Sequence, residues 1–197
     1  MPSTSSSQDS KQDTRLSHSD FVLEAFAIIA ETGSYEQVTI DNLCRRLKVS
    51  KGSFYWHFKN RAAMIDSVVE AWSGRLHQNI YGDIEKDAKG NASASIRQIV
   101  TVWQTSNIAA IDRVMRNWAC KDERVSEAVA KADLLILGYL KDKFIALGID
   151  PIEAHRRARL LIAIGIAQPQ LTHLPHPTSA TEELAWAVNT LLPLNGD

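Results

Sequence analysis

The sequence predicts an all-α protein: an N-terminal three-helix head with a helix-turn-helix, then a C-terminal helical body, about nine helices together. Three observations predict it. Apolar residues recur at three- and four-residue intervals along most of the chain, strand-type valine–isoleucine alternation does not occur, and cap signals precede the periodic segments. With 197 residues, 45% of them hydrophobic, the chain can bury one good core, or a small head sharing a core with a larger body.

Taken in order, residues 1–17 are polar and serine-rich and read as a disordered tail without the apolar stretch of a signal peptide. The first helix covers about residues 19–32. Thr39 caps a short second helix whose Ile40, Leu43, Cys44 and Leu47 make one apolar face. Lys48 and Val49 leave a tight turn before Ser50, which caps a third helix, so residues 18–62 form the head. Asn60 opens a long fourth helix with Ile65, Val68, Val69, Trp72, Leu76 and Ile80 as its inward stripe, and the body spans 63–197. The polar, glycine-flanked stretch Gly82–Asn91 reads as a loop. Ile96, Ile99, Val100 and Trp103 mark a fifth helix, and Ile108, Ile111, Met115 and Trp118 a sixth. The seventh runs from about Asp122 to Leu147 and stops at Gly148. Asp150-Pro151-Ile152-Glu153 starts the eighth, which Pro169 kinks or ends, and the capping box Ser179–Glu182 starts the ninth.

The third helix is the most informative stretch. Phe54 and Phe58 stand one turn apart, as a buried face requires. On its other side Lys51, Gly52, Ser53, Tyr55, Trp56 and His57 crowd together, and a large aromatic, a phenol and an imidazole facing outward make a contact surface. A short helix, a tight turn and a second helix of this kind form the unit whose second helix enters the DNA major groove. Charge agrees. Between Thr39 and Arg61, the six cations Arg45, Arg46, Lys48, Lys51, Lys59 and Arg61 stand against Asp41, leaving +5. From residue 62 onward, 14 basic against 16 acidic residues leave −2, so the net −1 hides a basic patch of the kind that neutralises phosphates.

From about Phe21 to Trp72 the sequence resembles the DNA-binding domain of TetR-family transcriptional repressors. The matching features are Phe26, Ala30, Glu31 and Gly33 at the end of the first helix, then Thr39-Ile-x-x-Leu, Val49-Ser-Lys-Gly-Ser-Phe-Tyr-Trp-His-Phe, and Lys59-Asn-Arg. The loop Gly33–Val38 is slightly longer than the common form. The resemblance implies that Tyr55, His57 and Arg61 hold the DNA backbone, and that Lys51, Gly52, Ser53 and Trp56 meet base edges or thymine methyls. Thr39 and Ser50 offer hydroxyls and helix N-terminal amides to phosphate, and Lys59 completes the DNA set. It also implies a small-molecule pocket in the body, for which Trp103, Met115, Trp118, Tyr139, Phe144 and His173 are the candidates; a filled core has the same composition.

Leu160, Leu161 and Ile164 on the eighth helix, with Leu184, Val188 and Leu191 on the ninth, are more apolar surface than one body needs. They are the expected interface of a homodimer, eased by the small residues Ala163, Gly165 and Ala167. A dimer is required because one recognition module buries too little surface for tight, specific binding. The expected function is a dimeric, ligand-responsive repressor on a palindromic DNA operator, with a small apolar effector; the competing reading is a DNA-binding regulator without a ligand. An enzyme is not expected, since no nucleophile elbow, paired carboxylates or glycine-rich phosphate loop occurs. Neither cofactor nor metal is implied, because His155, His173 and His176 are scattered. Cys44 and Cys120 read as buried free thiols, and with no apolar run long enough for a membrane a cytoplasmic protein is expected.

Overall fold

The computed structural model describes residues 16–171, 173–175 and 178–193, so the expected tail lies outside the described residues up to residue 15. Helices follow one another in the order α1 (His18–Thr32), α2 (Ile40–Leu47), α3 (Lys51–His57), α4 (Arg61–Glu70), a π-helical turn (Ala71–Arg75), α5 (Leu76–Ala88), α6 (Ala92–Thr105), α7 (Ile108–Ala119), α8 (Glu123–Ala146), α9 (Pro151–Ala167), a 3-10 turn (Gln168–Gln170) and α10 (Ala180–Leu191). Among the described residues there is no strand. The class is all-α.

Local chemistry accounts for the ends. Ser17 caps α1 in a capping box with Asp20, and the Ser17 backbone and hydroxyl hydrogen bonds hold the Asp20 carboxyl below its usual range. Gly33 ends that helix at φ +68°, donating to the Ile29 carbonyl. Thr39, Ser50, Asn60 and Asn91 each accept a backbone N–H in the first turn of the helix they cap. Asp150 does the same ahead of Pro151, and Ser179 with Glu182 forms the expected capping box of α10.

Two expectations about the linking helix are corrected. The stretch from Gly82 is helical to Ala88, because Ile84 and Ala88 reach the core; the chain turns only at Lys89 and Gly90, both at positive φ. The inward stripe also changes phase. The π-turn inserts one residue between Trp72 and the face that follows, so His77, Ile84 and Ala88 are buried while Leu76 and Ile80 are half-buried. The His77 Nδ1 lies 2.8 Å from the Trp72 carbonyl, five residues back, and spans that turn.

Buried side chains fall into two clusters. The first joins head to body: Phe21, Ile28, Leu43, Phe54 and Phe58 of the head pack in one continuous core with Met64, Val68 and Trp72 of the rod, Met115 and Trp118 of α7, and Val125 and Val129 of α8. The second lies at the far end, where Ile96, Leu140, Phe144, Ala154, Ala158, Leu161, Leu184 and Val188 bring α6, α8, α9 and α10 together. Burial at about 25 cal/mol per Å² of apolar surface makes such clusters the main favourable term. Head and body thus cannot separate without opening the first cluster.

Candidate DNA interface and effector cavity

The helix-turn-helix is built by α2 and α3. Between them Lys48 takes a left-handed conformation (φ +56°), its N–H directed at the Arg45 and Cys44 carbonyls, and Val49 donates to Cys44 at 2.9 Å. Phe54 and Phe58 are buried against Phe21, with ring centroids 5.9 and 5.8 Å away, and this fixes the rotation of α3. The same rotation turns Lys51, Gly52, Tyr55 and Trp56 outward; Tyr55 is 55% and Trp56 67% exposed. Thr39, Ser50 and Lys59 are exposed, while Ser53 and His57 are half-buried, the His57 ring 5.3 Å from Phe21.

The charge of this surface is smaller than the residue count. Arg46 is held between two carboxylates of α1, bonded to Glu24 and in a two-pronged pair with Glu31 at 2.7 and 2.8 Å. Arg61 departs from its expected place on the DNA backbone. Its guanidinium turns inward to the Val38 carbonyl at 2.6 Å and the Tyr35 carbonyl at 3.0 Å, tying down the loop between α1 and α2. That loop supplies carbonyls with no helical partner, and an arginine fork satisfies two at once. Lys51 lies 2.6 Å from Asp41, an exposed pair that a phosphate can displace, whereas Arg45, Lys48 and Lys59 stand exposed.

Where the two core clusters meet, the body encloses a cavity of about 90 Å³. Ile99, Val100, Trp103, Ile136, Leu140 and Leu161 are among its apolar lining. Of the six expected pocket residues, Trp103 lines it. The other five do not: Met115 and Trp118 are buried in the head–body core, Phe144 in the far cluster, Tyr139 packs outside the wall, and His173 is exposed. Tryptophans and phenylalanines at helical spacing were here used for packing.

One end of this cavity is polar, which sequence reasoning missed. His77, Tyr81, Asp112, Arg116 and Asp133 line it. Arg116 reaches Asp112 at 2.7 Å through Nε and Asp133 at 3.0 and 2.6 Å through its two terminal nitrogens. Burial pushes the Asp112 carboxyl above its usual range against the pull of Arg116, and burial pushes the His77 imidazole below its own, keeping it neutral. The Tyr81 hydroxyl is buried with no hydrogen-bond partner, and burial raises its pKa. The available signal was the acid–arginine pair four residues apart, Asp112 and Arg116, set inside an apolar helical pattern.

The expected dimer seam also changes. Leu161, Leu184 and Val188 are buried in the far cluster of their own chain, and Gly165 faces Trp103, 3.6 Å from where a Cβ would stand. Leu160, 54% exposed, and Trp186, 69% exposed, lie on the outer sides of α9 and α10, with Ile164 and Leu191 half-buried. A groove lined by Ile164, Ala167, Leu171, Trp186 and Ala187 runs between them. Cys44 is buried as expected; Cys120, at the end of α7, is exposed instead. Among the described residues no cluster of His, Cys, Asp or Glu suits a metal, and no helix is long and apolar enough to cross a membrane; His176 lies outside them.

A three-helix head presenting an aromatic and basic second helix on a helical body defines a DNA-binding regulator of helix-turn-helix type. Residues 23–68 match the family model of the bacterial regulatory proteins of the tetR family. The chain is 25% identical over 142 residues to the nucleoid occlusion factor SlmA of Shewanella halifaxensis, covering 68% of this chain and 71% of that one. It is 31% identical over 64 residues to the tetracycline repressor protein class G of Vibrio anguillarum, covering 32% of this chain and 30% of that one. The fold extends over the body as well: a TetR transcriptional regulator from Legionella pneumophila superposes with a TM-score of 0.70 at 14% identity, over 88% of this chain and 95% of that one.

Proposed function

We propose that the protein is a homodimeric, effector-controlled repressor that binds a palindromic DNA operator. Residues 1–17 serve as a tail, 18–62 as the DNA-binding head and 63–197 as the ligand-binding and dimerisation body. The observation that carries the reading is the joint between site and cavity. Helix α7 lends Ile108, Asp112 and Arg116 to the cavity wall, and at its other end Trp118 stacks on Tyr35 of the head, centroids 3.9 Å apart and 6° from parallel. Tyr35 lies in the loop that Arg61 ties down. A ligand that displaces α7 therefore biases the head orientation, by no more than its difference in affinity for the two states.

In this reading Gly52, Ser53 and Trp56 enter the groove, with Lys51 at its edge within reach of a phosphate; Thr39, Ser50, Tyr55, His57, Lys59, Arg45 and Lys48 meet the backbone; Arg61 acts indirectly by fixing the loop. The cavity is smaller than the roughly 300 Å³ at which ordinary ligand sites begin, so it takes a small effector or widens on binding. The outer face of α9 and α10 pairs with its symmetry mate. Selection of duplexes from a random pool, followed by anisotropy titration, tests the proposal. Enriched sequences should be palindromic, and Trp56→Ala should weaken binding by about 1–3 kcal/mol with unchanged circular dichroism. A pool without an enriched palindrome, or full affinity in the Trp56 variant, overturns the groove assignment.

A further inference from the structure

The polar end of the cavity has an unequal stock of hydrogen-bonding groups. Its donors are already committed: Trp103 Nε1 donates to the Gly165 carbonyl at 3.1 Å, and the Arg116 guanidinium is divided between Asp112 and Asp133. His77 Nδ1 faces the Trp72 carbonyl, which can only accept, so the imidazole carries its proton there and keeps Nε2 as an acceptor. What remains for a ligand is acceptor capacity: Nε2 of His77, the Asp112 oxygen not engaged by Arg116, and the Tyr81 oxygen, whose O–H is the one exception. Charge points the same way, since two carboxylates face one guanidinium beside a neutral imidazole. His77 and Asp112 are both more than nine-tenths buried, so water cannot readily serve them.

We propose that this end of the cavity recognises the ammonium group of a small lipophilic amine, with His77, Tyr81 and Asp112 accepting its N–H bonds and Trp103, Ile99 and Leu140 enclosing its apolar part. The proposal rests on the effector reading given above and adds the chemical class. An ammonium group brings three donors and no acceptor, and its charge completes the Asp112–Arg116–Asp133 set. A carboxylate ligand would meet Asp112 and Asp133 with one hydroxyl to bind it, and an alcohol would bring a single donor.

Three probes of similar size separate these cases: benzylamine, benzyl alcohol and benzoate, titrated against the full chain by thermal shift at neutral pH. Benzylamine should raise the melting temperature in a saturable manner and bind about tenfold tighter than benzyl alcohol, the gain of a charge-assisted over a neutral hydrogen bond, while benzoate should not bind. Asp112→Asn should abolish the preference for the amine. Tyr81→Phe removes a hydroxyl that has no partner in the free protein, so it should keep the melting temperature of the unliganded chain yet weaken benzylamine several-fold. Equal or stronger binding of benzoate, an unchanged preference in both variants, or no binding by any probe overturns the amine assignment. Operator titration on the same samples keeps the two readings apart. If benzylamine binds as described without altering operator affinity, the ligand chemistry stands and effector control falls; if no probe binds while the operator does, the ligand class alone falls.

Discussion

Salt dependence of operator binding tests the electrostatic reading residue by residue. Six cations lie between Thr39 and Arg61, but Arg46 is neutralised by Glu24 and Glu31, and Arg61 is spent on the Val38 and Tyr35 carbonyls. Arg45, Lys48 and Lys59 remain, with Lys51 after it exchanges Asp41 for a phosphate. Since an exposed ion pair is worth about 0–1 kcal/mol, that exchange costs little. Four phosphate contacts per head, twice in a dimer, give a slope of log affinity against log salt of about −7. Lys51→Ala removes one contact per head and should bring the slope to about −5.5. Arg61→Ala should leave the slope unchanged while lowering the melting temperature, because it releases the loop rather than a phosphate. Fluorescence anisotropy between about 50 and 200 mM potassium chloride measures each slope. A wild-type slope near −1, or an equal loss of slope in the Lys51 and Arg61 variants, refutes the assignment of charges.

Other consequences follow from the same geometry. Leu160→Glu and Trp186→Glu should each yield a folded monomer by light scattering, since these side chains are exposed in one chain, and a dimer that survives both places the interface elsewhere. Trp118→Ala, which removes the stack on Tyr35 and leaves a hole in the head–body core, should cost about 3–5 kcal/mol in urea unfolding; a loss under about 1 kcal/mol would show that the joint is not tightly packed. Glu85 binds Lys143 at 2.5 Å, Tyr139 at 2.6 Å and Ser95 at 3.0 Å, and the Lys143 bond, then that of Tyr139, hold its carboxyl below its ordinary 4.5. A depressed carboxyl stabilises above its unfolded pKa, so the stability gap between wild type and Glu85→Gln should be full above about pH 4.5 and close as pH falls through the lower folded value. A gap that is constant into acid would assign the effect to packing.

How much could be read from residues alone varied with the locality of the signal. Caps at Thr39, Ser50, Asn60, Asp150 and Ser179 act within three or four residues, and the helix starts they imply are present. The outward aromatics of α3 were legible because Phe54 and Phe58 fix which side is inside. Arg61 was not, since its carbonyl partners lie more than twenty residues away and a guanidinium serves a loop as well as a phosphate. The pocket failed for a related reason: periodicity tells which face of a helix is buried but not whether a neighbour fills the space, and Trp118 met Tyr35 where a ligand had been expected. Leu161, Leu184 and Val188 were surplus only on the assumption that α9 and α10 had no apolar neighbour, whereas Ile96 of α6 joins them in the far cluster.

The wide turn at Ala71–Arg75 has a consequence for how chains of this architecture can change length. Each helical residue advances the face by about 100°, so the surplus residue there acts as a phase adjuster between the head-side half of the rod and the half that borders the cavity. Deleting Ser73 alone would regularise the hydrogen-bond ladder and place His77 four residues after Trp72, so that His77, Ile84 and Ala88 keep the buried face. A one-residue loss at this turn is therefore tolerable with the apolar pattern of α5 unchanged, whereas the same loss within α5 would turn its buried face outward.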